Sequence, residues 1–152
     1  MRIEELKEYL WSIRKRDAEI DRMNNMARSL EAEAMHITAR YGSEAVQHSR
    51  NNHAMEDVLA RKVDLEHKMD AAIDELVDMR RNVREMFDRL SRPEYVRIMT
   101  MHYLDYLSWS RIAEVTGYSV SSTKHWHAEA LEEIVKSSDL AKNTGLTYCG
   151  QA

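Results

Sequence analysis

Ser108, Gly117 and Ser119 are spaced as the caps and turn of two consecutive helices, with Lys124 a cation on the second. The stretch from Leu107 to Leu131 reads as two helices joined by a tight turn. A serine hydroxyl accepts hydrogen bonds from the unpaired N–H groups of a first helical turn, so Ser108 can cap one helix and Ser119 the next. Gly117 is the natural exit residue between them, because a left-handed backbone costs nothing without a Cβ. Trp109, Ile112, Ala113 and Val115 give the first helix an apolar face, and Thr123, Trp126, Ala130, Leu131 and Ile134 turn inward on the second at three–four spacing. A short helix, a glycine turn and a Ser-capped second helix (about 119–136) form the helix-turn-helix plan, whose second helix enters the major groove. The chemistry such an element performs is hydrogen bonding and ion pairing to bases and phosphates.

Catalytic chemistry finds no support. The chain has no Gly-rich phosphate loop, no nucleophile–base pairing and no cluster at metal-ligand spacing, so an enzyme, a cofactor and a metal are not expected. His36, His48 and His53 lack Cys or carboxylate partners at ligand spacing and read as solvated polar residues. The single Cys, Cys149, excludes an internal disulfide and fits a reducing cytoplasm. There is no apolar signal core and no run near the roughly 20 residues needed to cross a bilayer, which points to a cytoplasmic protein without membrane contact. Only four Gly and one Pro, with ten Met, favour long helices and an all-α fold.

The elements that must position the reading stretch come earlier. Ile3, Leu6, Leu10, Ile13, Ile20, Ala27, Leu30, Ala34 and Ile37 recur at three and four residues. Asp17 and Asn24 fall on the same seam; either they fix register or the seam drifts to Met23 and Met26. Periodicity fails between Tyr41 and His53, which predicts a loop. From Met55 to Leu90 a second apolar stripe runs through Val58, Leu65, Met69, Ala72, Leu76, Met79, Val83 and Met86, predicting a helix roughly 50 Å long. Two long helices and a loop predict an antiparallel helical hairpin, or coiled coil, over residues 1–91. Leu59, Ile73 and Phe87 widen the stripe beyond a two-helix seam, so a second copy or the C-terminal domain should cover that side. Arg14, Lys15, Arg16, Arg80, Arg81 and Arg84 have acids close by and read as a solvated face. Pro93 cannot continue the preceding helix but suits the first turn of a new one. That new helix holds Tyr95, Val96, Ile98, Met99, Tyr103 and Leu104 and completes a three-helix unit over 92–136. Residues 137–152 turn small and polar and are expected to form a flexible tail.

The Trp109, Ile112-Ala113, Gly117, Ser119, Lys124 and His127-Ala128-x-Ala130-Leu131 pattern resembles region 4 of bacterial sigma factors. With Glu8-Tyr9-Leu10-Trp11-Ser12-Ile13-Arg14, Lys62-Val63-Asp64-Leu65-Glu66 and Arg92-Pro93-Glu94-Tyr95 ahead of it, the chain is similar over roughly residues 5–136 to an uncharacterised family of small phage and prophage proteins. That resemblance implies a phage-carried transcription regulator in a bacterial host cytoplasm, with a sigma region-4-like domain behind a helical hairpin. It also implies the groove-facing positions: Val120, Ser121, Ser122, Lys124 and His125. Lys124 can donate to a phosphate or to guanine, Ser121 and Ser122 to phosphates or either base type, and Val120 can touch a thymine methyl. His125 can donate or accept, and Arg111 can meet a phosphate or stay a surface charge. Where sigma factors often carry Arg, Glu and Gln, this chain has Val, Ser, Ser and His. His125 and His127 lie on different helix faces and read as exposed, without a shared metal.

Charge limits the strength of binding. Residues 92–136 hold five Lys and Arg against six acids, and released counterions supply most non-specific DNA affinity. A homodimer through the coiled coil would join two weak contacts, or RNA polymerase would hold the domain on double-stranded DNA through Glu129, Glu132 and Glu133. Two alternatives stand beside a DNA-binding regulator. One is a phage DNA-packaging or assembly protein, marked by a ring-sized oligomer. The other is a protein-interaction module without DNA binding, favoured by the acidic balance.

Overall fold

The computed structural model describes residues 1–41 and 48–143. Every regular element among them is helical: α1 (Ile3–Tyr41), α2 (His48–Asp88), α3 (Pro93–Met99), a π-helical segment (Thr100–Leu104), α4 (Trp109–Thr116) and α5 (Val120–Asn143). No helix among the described residues is long and apolar enough to cross a membrane. Part of the loop expected over 41–53 is helical. Tyr41 ends α1, α2 begins at His48, and residues 42–47 lie outside the described ones. A break in apolar periodicity marks where an apolar face ends, not where a helix must end.

Two compact units share the long helices: Arg16–Val77, and Met1–Lys15 together with the chain from Asp78 onward. In the first, Ala27, Val58 and Leu76 are buried, while Ile20, Leu30, Leu65, Met69 and Ala72 are half-buried. Arg16 meets Glu75 at 2.6 Å and Glu33 meets Arg61 at 3.7 Å, so rising positions on α1 pair with falling positions on α2. Asp17, Met23 and Asn24 are all half-buried, whereas Met26 is 59% exposed, so the seam takes in the polar pair and Met23 but does not extend to Met26. Leu59, Val63, Ile73 and Val77 stand exposed on α2.

The second unit holds most of the core. Leu6, Leu10 and Ile13 of α1 are fully buried, as are Val83 and Phe87 of α2. Ile98 and Met99 of α3, Ile112 of α4, and Thr123, Ala130 and Leu131 of α5 complete it. Phe87 is therefore core, unlike Leu59 and Ile73, with which sequence spacing grouped it. The boundary expected at residue 91 is a turn inside this unit. Arg92 is extended (φ −123°, ψ 135°) and Pro93 opens α3; Ser91 donates from its amide and its hydroxyl to the Glu133 carboxylate at 2.6 and 2.8 Å.

His102, Tyr103 and Leu104 are three consecutive buried residues, which one α-helical face cannot supply. The π turn widens the backbone there, with the Asp105 amide reaching the Thr100 carbonyl at 3.0 Å and Leu107 reaching Met101 at 2.9 Å. Arg80 then donates to the Leu104 carbonyl at 2.9 Å and to the Tyr106 hydroxyl at 3.1 Å. Helix α5 runs to Asn143, so residues 137–143 are helix and not the expected tail. The hydroxyls of Ser137 and Ser138 donate back to the carbonyls of Glu133 and Val135, which lets a small polar sequence stay helical.

Candidate nucleic-acid interface

Local chemistry builds the α4–α5 corner. Ser108 is extended (φ −70°, ψ 158°) and its hydroxyl accepts from the Arg111 amide at 3.3 Å. Gly117 takes φ 76°, ψ 6°, and its amide caps Ala113 at 2.9 Å. A Cβ added at Gly117 would meet nothing within 4 Å, so backbone conformation and not crowding selects glycine. Thr116 donates to the Ile112 carbonyl at 2.7 Å and accepts from the Tyr118 amide at 3.4 Å. Ser119 accepts from the Ser122 amide at 3.1 Å, while its own hydroxyl donates to Ser122 Oγ at 2.9 Å.

The inward side of α5 is Thr123, Ala130, Leu131 and Ile134, all buried. Thr123 satisfies its hydroxyl by donating to the Val120 carbonyl at 2.7 Å. Trp126 is half-buried and lies edge-on to Tyr118, ring centroids 4.6 Å apart. Trp109 stacks on His102 at 4.1 Å.

His127 departs from its expected exposure. It is half-buried, with Nε2 2.8 Å from the Tyr103 hydroxyl and its ring 4.9 Å from Trp109 and 5.5 Å from His102. Position 127 follows Thr123 by one helical turn, so it lies on the inward flank. Trp11 of α1 closes the cluster edge-on, 5.5 Å from His102 and 5.9 Å from Tyr103. Burial, then the neighbouring His102 and Lys7, lower His127 to about 4. Burial lowers His102 as well and pushes Tyr103 up to about 12. Both imidazoles are thus neutral near pH 7, and the cluster is packing that fixes α1, the π turn, α4 and α5 together.

The outward side of the first turns of α5 presents Val120, Ser121, Lys124, His125 and Ala128, all exposed. Ser122, expected on the same face, is half-buried, and its hydroxyl accepts from that of Ser119. Arg111 is exposed and pairs with Glu114 at 2.9 Å. Among the cations of 92–136, Arg92, Arg111 and Lys136 pair with acids, whereas Lys124 and Arg97 pair with none of the described residues. The upstream cluster is partly committed too: Arg14 lies over Trp11 and Tyr106, and Arg80 is tied to Tyr106 and Leu104.

Sequence spacing gave no sign of one arrangement beside this face. Glu129 is half-buried; one carboxylate oxygen accepts from the Tyr95 hydroxyl at 2.6 Å and the other lies 3.1 Å from His125 Nε2. The Tyr95 bond, with His125 and Arg92 nearby, holds the Glu129 carboxyl below the usual range. The Arg92 guanidinium lies 5.4 Å from the Tyr95 ring centroid. Along the sequence only the i, i+4 spacing links His125 and Glu129. No group of three or more potential metal ligands occurs among the described residues. No family model, curated protein or solved structure matches the chain.

Proposed function

We propose that this chain is a phage-type DNA-binding transcription regulator. In this reading α1 and α2 make a long antiparallel hairpin, and α3, α4 and α5 make a sigma region-4-like helix-turn-helix domain. Helix α5 enters the major groove and presents Val120, Ser121, Lys124 and His125 to base edges. The supporting observation is the division of α5: Thr123, Ala130 and Leu131 are buried, while on the opposite side Lys124 stands exposed and forms no ion pair with any of the described residues. An exposed cation beside small polar residues suits phosphate or guanine contact. The hairpin then serves dimerisation or docking to RNA polymerase, which compensates for a domain with more acids than cations.

The test is selection of binding sites from random duplex DNA by the purified protein, with Lys124→Glu as control. We expect an enriched motif that the control loses while keeping its helicity and melting temperature. A control that binds with the same affinity and salt slope would refute this placement of the reading helix. A second reading, a protein-interaction module, draws support from Glu129, held ionised beside the same face. It predicts no motif, with function lost on altering the hairpin but not Lys124.

A further inference from the structure

We propose that Tyr95 and Glu129 form a clamp that sets His125 as a base-reading acceptor for an exocyclic amine, that of adenine or cytosine. The inference rests on the major-groove reading of α5 and adds to it the identity of one contacted base class.

Three residues carry it. Tyr95 belongs to α3 and is 7% exposed, so its ring is fixed in the core and its hydroxyl has a defined position. Glu129 receives that hydroxyl at 2.6 Å, which leaves its second oxygen for His125 Nε2 at 3.1 Å. A carboxylate only accepts, so the nitrogen facing it must carry a proton. In neutral imidazole one nitrogen donates and the other accepts. Nδ1 of His125 is therefore the acceptor, and it makes no hydrogen bond with a described residue on a side chain that is 68% exposed. An acceptor in the major groove complements a donor there: N6 of adenine or N4 of cytosine, and not O6 or N7 of guanine or O4 of thymine.

An ordinary i, i+4 histidine–glutamate pair on a helix surface would not fix a tautomer, because both side chains move freely and the pair contributes little. Here the carboxylate is anchored from a different helix by a short bond, so it has one preferred orientation. A positioning residue of this kind acts through His125 and touches no base itself.

The experiment has two arms, both on the full chain at pH 8. In the first, nitrogen NMR of the free protein reads the His125 tautomer. We expect the Nε2–H form in the native chain and a mixture in Tyr95→Phe and Glu129→Ala; an Nδ1–H form in the native chain overturns the proposal. In the second, the selected DNA site is resynthesised with the amino group removed from each adenine or cytosine in turn, using purine or 2-pyrimidinone. At one position this should weaken native binding about five-fold, as expected for one lost hydrogen bond, and leave His125→Ala unaffected. Tyr95→Phe should show an intermediate loss. A site indifferent to every amine substitution overturns the base contact alone. Failure to select any site overturns the major-groove reading and the contact with it, whatever the tautomer.

Discussion

Acid should destabilise this protein through His127, and the effect can be isolated. The ring titrates at about 4 in the folded chain against 6.5 when free, because burial penalises its charged form. An unfolded chain therefore binds this proton first as pH falls. The stability contributed by the neutral ring is complete above about pH 6.5 and is lost progressively as pH falls through the folded value. Each pH unit in that interval is worth about 1.4 kcal/mol for one proton. Going down to pH 4.5 thus costs about 2 kcal/mol once the part of the ring facing solvent is discounted. His102 shifts in the same direction for the same reason, so total acid sensitivity should exceed this figure. The assay is urea unfolding at pH 7.5, 6.5, 5.5 and 4.5, comparing the native chain with His127→Gln, whose amide can still bond the Tyr103 hydroxyl. The two stability curves should converge as pH falls, native losing about 2 kcal/mol more than the variant. Parallel curves would show that His127 is not desolvated in the way argued, and that the aromatic cluster is open to water.

Other outcomes follow from the packing. Gly117→Ala should cost about 1 kcal/mol in thermal or chemical unfolding through its left-handed backbone alone, since no atom crowds the site. Leu76→Asp should lower stability by roughly 3 kcal/mol or more by burying an unpaired charge, whereas Ile73→Asp, at a position 39% exposed, should leave the melting temperature nearly unchanged. If Ile73→Asp also lowers self-association in sedimentation, the exposed side of α2 is where copies meet. A fragment spanning 92–136 should show helicity but no cooperative melting, because Leu6, Leu10, Ile13, Val83 and Phe87 complete its core.

The parts of this structure legible in sequence are those set by neighbours along the chain. Ser108, Gly117 and Ser119 mark their corner because capping and left-handed backbone are decided within a few residues. Thr123, Ala130, Leu131 and Ile134 declare an inward face by spacing alone. Contacts made across the fold were not legible. Nothing local announces that Arg80 reaches the Leu104 carbonyl, or that Tyr95 takes hold of Glu129. His127 was misplaced because residue type suggested exposure while its position, one turn after Thr123, placed it inside. The end of α5 was misjudged for a related reason: Ser137 and Ser138 look like tail until their hydroxyls are seen bonded back to the helix. Phe87, Leu59 and Ile73 share a periodic stripe, yet only Phe87 lies where other helices enclose it.

The membership of Met1–Lys15 in the same compact unit as α3 to α5 has a consequence for the order of events during synthesis. Trp11 leaves the ribosome well before the rings it packs against, His102 and Tyr103, which emerge only after all of α2 and α3 has been made. Until then Leu6, Leu10 and Ile13 present a sticky face with no permanent home. Closing so long a loop adds only a modest entropic penalty, since that term grows with the logarithm of length. Its cost in time is larger, because contacts distant in sequence form late. A nascent chain paused before α5 therefore leaves these apolar residues without their partners, and premature termination there would release an aggregation-prone product in place of a smaller working domain.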